Sequence, residues 1–212
     1  MSDKANSCKV VLLGESGVGK TCIISRYVNN TYDEKSETTN GASYASKVID
    51  LEQYKQSLRF DIWDTAGQEK YRSLTKFFYK DAAIAILVYD ITRRDSFEEV
   101  RKYWYEQLKT CGEKNIVIGL AGNKCDMFDK EAVTEEEARS FANEIGAQFQ
   151  LTSAFKNLGI EDLFRMVGCK YLDPNFQDKI NDETKEEKKN ITLENNTSQK
   201  KKKDKKWLQI LN

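Results

Sequence analysis

Three glycines, a lysine and a threonine fall within eight consecutive residues near the start of the chain, in the segment GESGVGKT at positions 14–21. The segment fits the pattern G-x-x-x-x-G-K-[ST] and follows the apolar run Val10–Leu13. Glycines allow backbone angles that side chains forbid, so successive N–H groups can converge on anionic oxygens at the start of a helix. Lys20 would bring a positive charge to the β- and γ-phosphates, and the Thr21 hydroxyl is suited to Mg²⁺. The segment therefore predicts a cradle for a phosphate chain, not a bare turn between a strand and a helix.

The segment Asn123-Lys124-Cys125-Asp126 contains a carboxylate that could distinguish between purine bases. Such a carboxylate can accept hydrogen bonds from N1–H and from the exocyclic amine of guanine, whereas adenine presents neither donor in that place. It would lose its partners against adenine, so the site would reject that base. Asn123 can tie the base-binding loops together, the Lys124 stem can lie against the ring, and the backbone N–H of Ala154 could reach guanine O6. Four residues alone would also fit a solvated loop, but their position after an apolar run and downstream of the glycine segment favours a guanine site.

A third segment, DTAGQE at positions 64–69, follows the alternating run Leu58–Trp63 and supplies groups suited to hydrolysis. Asp64 at the end of a strand can hold Mg²⁺ through a water molecule. Gly67 can turn its N–H toward a γ-phosphate, and Gln68 can orient an attacking water. This segment would therefore sense whether the γ-phosphate is present.

The elements that must position these segments alternate along the chain. Short runs that are apolar throughout, or apolar at every second residue, are typical of strands. The strands are expected at Val10–Leu13, Leu58–Trp63, Ala83–Tyr89, Ile116–Ala121 and Gln148–Thr152. Helices are expected near Thr21–Asn29, from an N-cap at Asp95 to Leu108, from an N-cap at Thr134 to Ile145, and over Leu158–Lys170. The alternation predicts an α/β fold in which ligands bind beyond the carboxyl ends of the strands.

Composition sets the limits of the domain. The chain has 212 residues, a formal net charge of zero, 39% hydrophobic residues and five scattered cysteines. Residues 8–172 are predicted to form one domain after an N-terminal extension at 1–7. From residue 178 to 206, 17 of 29 residues are charged, so 173–212 is predicted to be a disordered charged tail.

The sequence lacks an apolar run long enough for a secretory signal or a membrane span, and its cysteines are typical of reduced intracellular thiols, so a cytoplasmic location is expected. The neutral charge gives no support for nucleic acid as a partner.

The order and spacing of GESGVGKT, WDTAGQE, NKCD and TSA resemble the Ras superfamily of small GTPases. Within it, WDTAGQEKYRSLT (63–75) and ILVYDIT (86–92) resemble the Rab branch, and the likeness covers about residues 8–171. The resemblance implies a P-loop small G domain with a mostly parallel six-stranded sheet and helices on both faces. It also implies a GTP-binding and GTP-hydrolysing switch that regulates vesicle traffic through GTP-dependent effector binding, on the cytosolic face of an endomembrane. Hydrolysis is expected to be slow without an activating protein, because the motifs place no arginine of this chain at the γ-phosphate.

The resemblance assigns roles to individual positions. Thr39 would be the first-switch threonine that closes on Mg²⁺ and the γ-phosphate, and Tyr32 would stack near the guanine. The implied contacts to GTP or GDP are Ser16, Gly17, Val18, Gly19, Lys20, Thr21, Cys22, Tyr32, Thr39, Gly67, Asn123, Lys124, Asp126, Ser153, Ala154 and Phe155. The implied catalytic residues are Gln68, Lys20, Thr39 and Gly67, and the implied Mg²⁺ ligands are Thr21, Thr39 and Asp64. An exchange factor, an activating protein and effectors would bind through both switches and the aromatic residues Tyr44, Trp63 and Phe78.

Three features depart from the family pattern. Asn40 stands where isoleucine is usual, which puts the usual effectors in doubt. Phe155 replaces the lysine that commonly follows Ser-Ala; guanine binding is expected to survive, since the base contact comes from the Ala154 backbone, but its strength is open. Rab proteins usually finish with one or two cysteines for prenylation, whereas the last cysteine here is Cys169. The lysine run and apolar end of Lys200–Asn212 offer another route, contact with an anionic membrane.

Four other functions fit parts of the sequence. A GTP-binding scaffold with negligible hydrolysis and a non-Rab Ras-like switch would share the nucleotide motifs, although Gln68 argues against the scaffold. A nucleic-acid binder would use the lysine tail. A P-loop kinase or ATPase would share the glycine segment, but Asn123 and Asp126 favour guanine.

Overall fold

In a computed structural model of the chain, the described residues are 6–33, 42–65 and 79–177. The chain divides into two units, residues 1–174 and 175–212, and the architecture below is that of the first. No helix in the described ranges is long and apolar enough to cross a membrane.

The described residues form one sheet of six strands. The strands are β1 (Asn6–Leu13), β2 (Ala42–Leu51), β3 (Gln56–Thr65), β4 (Ile84–Asp90), β5 (Val117–Asn123) and β6 (Gln148–Leu151). Their order is β2-β3-β1-β4-β5-β6, and every neighbouring pair is parallel except the antiparallel pair of β2 and β3. The mostly parallel six-stranded sheet is thereby confirmed. The register sets Asp64 opposite Leu12 and Asn123 opposite Asp90, so the motif residues meet at the carboxyl edge of the sheet.

Helices connect the strands at the places that the apolar spacing predicts. Those in the described ranges are α1 (Lys20–Asn29), α2 (Arg94–Glu99), α3 (Tyr105–Cys111), α4 (Glu135–Ile145) and α5 (Ile160–Leu172). A π-helical segment, Val100–Trp104, joins α2 to α3, and short 3₁₀ turns cover Glu52–Tyr54 and Cys125–Lys130. Such a segment fits one extra residue into a turn, which the sequence pattern does not reveal.

One face of the sheet is covered by α2, α3 and α4. Val11 and Leu13 of β1 belong to a buried apolar cluster with Phe97, Trp104 and Phe141 of those helices and the π-helical segment. The Phe97 and Phe141 rings meet edge to face at 5.7 Å, which is a favoured arrangement for aromatic pairs. This cluster fixes the carboxyl end of β1, from which the glycine segment leaves the sheet.

The opposite face is covered by α1 and α5. Tyr27 of α1 stacks on Phe164 of α5 with ring centroids 3.7 Å apart, and Phe164 lies 5.9 Å from Phe60 of β3. Gly119 of β5 lets α5 approach closely, because a Cβ there would stand 3.0 Å from Val167 Cγ1. Helices on both faces are therefore confirmed.

The two predicted N-caps have different outcomes. Thr134 caps α4 as expected, since its Oγ1 accepts a hydrogen bond from the backbone N–H of Glu137 at 3.2 Å. The N-cap at Asp95 is wrong, because α2 begins at Arg94 and Asp95 lies inside its first turn. The Asp95 carboxylate instead accepts a hydrogen bond from Arg93 Nη2 at 2.9 Å, and this interaction lowers its pKa.

Several predictions concern residues that lie outside the described ranges. They are Thr39, Asn40, Gly67, Gln68, Phe78 and the tail from residue 178 onward, including Lys200–Asn212. Their roles stay predictions from the sequence.

Candidate functional site

The glycine segment leaves β1 and enters α1 in a conformation that requires glycine. Gly14, Gly17 and Gly19 have φ angles of 149°, 76° and 96°, which side chains disfavour. A Cβ at Gly14 would stand 2.2 Å from the carbonyl oxygen of Val88, and one at Gly19 would stand 2.4 Å from Asn123 Nδ2. The loop is therefore pressed against the ends of β4 and β5, where no side chain fits.

Lys20, at the first position of α1, reaches back into this loop. Its buried Nζ donates hydrogen bonds to the carbonyl oxygens of Gly14 at 2.8 Å and Glu15 at 2.9 Å. Burial lowers the pKa of the ammonium group to about 8, although Asp64 and Glu15 act in the opposite direction. An anion bound at the loop would favour the charged form and offset the cost of burial.

Thr21 and Asp64 bring two oxygen ligands together from different elements. Thr21 Oγ1 of α1 donates a hydrogen bond to Asp64 Oδ2 of β3 at 2.6 Å, and Asp64 is buried. Hydroxyl and carboxylate oxygens are hard ligands, and Mg²⁺ is usually held by few protein ligands together with phosphate oxygens and water. The described residues contain no cluster of three or more His, Cys, Asp or Glu that could hold a metal alone. The pair therefore fits an ion shared with a phosphate ligand.

Asn123 ties the glycine loop to the loops after β5 and β6. Its Nδ2 donates to the carbonyl oxygen of Val18 at 2.7 Å, and its Oδ1 accepts from Thr152 Oγ1 at 3.3 Å. A backbone bond of 3.0 Å from Cys125 N–H to Thr152 O joins the same two loops. These contacts join the loops that Asn123 was predicted to tie together.

The charged side chains of Asp126 and Lys124 are both held in place by hydrogen bonds. Ser153 Oγ donates a hydrogen bond to Asp126 Oδ1 and accepts one from the backbone N–H of Lys156 at 3.0 Å. Lys124 Nζ donates to the carbonyl oxygen of Gly17 at 2.9 Å and pairs with Asp90 Oδ2 at 2.7 Å. The Lys124 side chain thus spans from the loop after β5 to the glycine loop.

A cavity of about 260 Å³ lies between these loops. Its lining residues are Gly19, Cys22, Tyr32, Asn123, Lys124, Asp126, Met127, Ala154 and Phe155. Most of the lining is apolar, with one carboxylate, that of Asp126. A mainly apolar lining and an acceptor held by a hydrogen bond suit a heterocycle that carries hydrogen-bond donors.

The structure brings most of the predicted nucleotide contacts to this one edge of the sheet. Eight of them line the cavity: Gly19, Cys22, Tyr32, Asn123, Lys124, Asp126, Ala154 and Phe155. Ser16, Gly17, Val18, Lys20 and Thr21 belong to the glycine loop and the start of α1, and Ser153 supports Asp126 from behind.

Sequence reasoning missed several contacts of the site. Arg93 Nη1 donates to the carbonyl oxygen of Ser16 at 3.1 Å, so this arginine braces the glycine loop. Arg26 Nε donates to the carbonyl oxygen of Ala154 at 2.9 Å. Met127 lines the cavity. The Arg93 contact joins residues 77 positions apart in the chain, and the Arg26 contact joins residues 128 positions apart. Arg93 directly follows the motif YDIT at the end of β4, and only the position of that motif in the folded structure could have indicated its role.

Together, the fold and site define a class. A glycine loop lies at the carboxyl edge of a parallel sheet, with a buried lysine inside it and a hydroxyl–carboxylate pair beside it. A cavity with an acidic acceptor begins at the same loop. This is a P-loop nucleotide-binding domain of α/β class.

Comparison with known proteins gives the family. The model of the Ras family matches residues 9–173. Human Ras-related protein Rab-22A is 44% identical over 157 residues, which cover 74% of this chain and 79% of the relative. Ras-related protein Rab-31 of Rattus norvegicus is 43% identical over 159 residues, 75% of this chain and 80% of the relative. Ras-related protein Rab5 of Nicotiana tabacum is 43% identical over 158 residues, 74% and 78% of the two chains.

The chain belongs to the Ras family, and within it to the Rab-like small GTPases. It is a guanine-nucleotide switch of vesicle traffic that hydrolyses GTP to GDP and phosphate. The expectations of fold, family and activity drawn from the sequence are confirmed.

Proposed function

We propose that the glycine loop and the cavity hold one GTP or GDP molecule, with the phosphates at Lys20 and the guanine at Asp126. The observation that carries this assignment is the position of Gly19. This residue lines the cavity, and the next residue along the chain, Lys20, places its ammonium group inside the glycine loop. A ligand that fills both sites must join a planar base to an anionic chain, as a nucleotide does.

Mg²⁺ is assigned to Thr21 and Asp64, with Thr39 as the ligand that the first switch contributes. The support is the 2.6 Å contact between Thr21 Oγ1 and Asp64 Oδ2, which sets two hard oxygen ligands side by side next to Lys20. When bound, the ion would neutralise charge on the β- and γ-phosphate oxygens. Thr39 would leave this position when the γ-phosphate is lost, and the first switch would then change its contacts with partners.

Hydrolysis is assigned to Gln68, Gly67 and the glycine loop. Gln68 orients the attacking water, the Gly67 N–H contacts the γ-phosphate, and Lys20 stabilises negative charge on the transferred group. Arg93 is already bound to the Ser16 carbonyl and to Asp95. The cation needed for fast turnover is therefore assigned to an activating protein and not to Arg93.

Replacement of Gln68 by leucine should slow single-turnover GTP hydrolysis at least about tenfold, because the water loses its orienting group. GTP affinity should stay within about twofold, since Gln68 is assigned to the water and not to the nucleotide. Phosphate release from preloaded protein measures the rate, and Gln107→Leu on α3 is the matched control. Equal rates for the unmodified chain and Q68L would remove Gln68 from the mechanism.

The partner surface is assigned to both switches and to Tyr44, Trp63 and Phe78. Tyr44 on β2 is 50% exposed, and its ring meets that of Trp63 on β3 edge to face at 5.5 Å. Its hydroxyl donates to Asp61 Oδ1 at 2.6 Å, so the exposed ring is held in one orientation. Rigid exposed aromatic rings are favoured anchors at protein interfaces. Effectors that read this patch would also meet Asn40, where the family usually presents isoleucine.

The segment Lys200–Asn212 is assigned to the cytosolic face of an endomembrane. Its lysines should each contribute about 1 kcal/mol near an anionic surface, and its apolar end can enter the interface. In vesicle flotation, the full chain should rise with vesicles containing phosphatidylserine, and a chain without residues 200–212 should not. A variant with the six lysines of this segment changed to glutamine keeps the length and should also fail to rise. Equal recovery of all three forms would end this assignment.

A further inference from the structure

Three successive carbonyl groups of the glycine loop are held by side chains of other elements. Each accepts a hydrogen bond from a residue at or just beyond the end of β4 or β5: Ser16 from Arg93 Nη1 at 3.1 Å, Gly17 from Lys124 Nζ at 2.9 Å, and Val18 from Asn123 Nδ2 at 2.7 Å. Lys124 and Asn123 belong to the motif that predicted the base site. Arg93 lies outside the motifs, and its contact with Ser16 has no role in the proposed hydrolysis.

The direction of a carbonyl group fixes the direction of the N–H group that follows it. A trans peptide group is planar, so its C=O and N–H point to opposite sides. The described residues contain no cis peptide bond. Because Arg93 holds the carbonyl of Ser16, the N–H of Gly17 points away from Arg93. In the part of the chain that the structure describes, this N–H donates to no protein acceptor, so it is available to an anion.

The position of Arg93 is set by the fold and not by a ligand. Its Nη2 donates to Asp95 Oδ2 at 2.9 Å, and its backbone N–H donates to the carbonyl oxygen of Asp90 at 3.0 Å. Ser96 Oγ donates to the carbonyl oxygen of Arg93 at 2.7 Å. A Cβ at Gly17 would stand 3.7 Å from Arg93 Nη1, so the guanidinium group lies close to the backbone whose direction it sets.

We propose that Arg93 is a positioning residue for nucleotide binding and hydrolysis: by holding the Ser16 carbonyl, it directs the Gly17 N–H at the phosphates. This inference rests on the proposed placement of the phosphates at the glycine loop. Arg93 does not touch the phosphates in this arrangement and acts only through the peptide group between Ser16 and Gly17. An N–H group that is oriented before the ligand arrives needs no reorganisation when the phosphates bind or when negative charge develops on them.

Loss of the Arg93 donors should weaken binding and slow hydrolysis. A hydrogen bond to a charged group contributes about 10- to 100-fold to an equilibrium constant, and Arg93→Met should lose part of this, so GDP affinity should fall about 3- to 10-fold. Single-turnover GTP hydrolysis should slow by a similar factor of about 3 to 10. Calorimetry with GDP and Mg²⁺, and phosphate release from the preloaded full chain, measure the two changes. Arg94→Met is the matched control, since Arg94 pairs with Glu137 and Glu98 and not with the glycine loop.

Proton NMR of the amide groups separates the orientation of one N–H from a general loosening of the loop or from the loss of a positive charge. A hydrogen bond to phosphate moves an amide proton downfield, so GDP should shift the Gly17 and Gly19 amide protons downfield in the unmodified chain. In R93M the shift at Gly17 should be largely lost, whereas that at Gly19 should remain, because Asn123 still holds the Val18 carbonyl. Arg93→Lys keeps a donor at this position and should recover part of the Gly17 shift.

The outcomes distinguish this inference from the site on which it rests. If R93M and R94M both bind GDP and show the same shift at Gly17, Arg93 does not orient the Gly17 N–H, and the proposed site stands. The same conclusion follows if R93M binds GDP but loses the shifts at Gly17 and Gly19 alike. If the unmodified chain binds no GDP, the placement of the phosphates fails and the role of Arg93 with it.

Discussion

Replacement of Asp126 by asparagine should lower the affinity for GDP on the order of 10³- to 10⁴-fold. The carboxylate is assigned to accept hydrogen bonds from N1–H and the exocyclic amine of guanine, and a carboxamide presents one acceptor and one donor instead. The exocyclic amine of guanine would then face another donor, which costs far more than a weakened contact. Ser153 already donates to Asp126 Oδ1, so the side chain is held in one orientation and cannot turn to recover both bonds.

The same variant should gain affinity for a different base. Xanthine carries a carbonyl where guanine carries the amine, so the carboxamide of D126N could accept from N1–H and donate to that carbonyl. Calorimetry with GDP and with xanthosine diphosphate, in the presence of Mg²⁺, measures both changes. Asp129→Asn is the control, because Asp129 is exposed, lies in the same turn and does not line the cavity. If D126N binds GDP as tightly as D129N does, Asp126 has no role in base recognition.

Replacement of Lys20 by asparagine should weaken GDP binding at least about 100-fold. The change removes the buried cation from the loop, and the shorter side chain cannot donate to both the Gly14 and Glu15 carbonyl oxygens that Lys20 contacts. A charge-assisted contact to phosphate lost from a buried site has an effect of this size. Lys130→Asn, in the exposed turn after β5, should bind as the unmodified chain does. Tight GDP binding by K20N would contradict the phosphate cradle.

Lys20 should also make binding depend on pH. In the nucleotide-free protein its pKa is lowered from 10.5 to about 8, and bound phosphate would raise it again. Above pH 8 the free protein has lost a proton that the complex keeps, so binding takes up a proton and affinity falls by up to about tenfold per pH unit. Calorimetry at pH 9 in buffers with different heats of ionisation should detect this uptake in the unmodified chain, and not in K20N.

The same shift has a consequence for stability. Between pH 8 and pH 10.5 the unfolded chain binds more protons at Lys20 than the nucleotide-free folded chain does. The contribution of Lys20 to the free energy of unfolding therefore rises with pH across this window. Denaturant unfolding of the nucleotide-free protein should show this rise, and K20N should lack it.

The sequence predicted the parts of the fold that local patterns encode. The runs that became β1, β4 and β5 are apolar because helices cover both of their faces, and the motifs follow the strand ends, where the parallel sheet brings them together. The three glycines of the phosphate loop were predictable from the sequence, since the φ angles of Gly14, Gly17 and Gly19 disfavour other side chains. These features depend on neighbours along the chain.

Features set by distant contacts could not be predicted in the same way. The strand β2 was not located, because it is an edge strand with exposed residues such as Tyr44 and Val48 and lacks a continuous apolar run. The helix start near Asp95 was misplaced, because Arg93 competes for the Asp95 carboxylate. The bracing of the site by Arg26 and Arg93 depends on where the fold brings the loops, and a single sequence contains no local sign of it.

The most direct test of the account is calorimetry of the nucleotide-stripped full chain with GDP and with ADP in the presence of Mg²⁺. GDP is expected to bind at one site per chain, and ADP at least about 10³-fold more weakly, because adenine offers Asp126 no pair of donors. Equal affinity for GDP and ADP, or no binding of GDP, would contradict it.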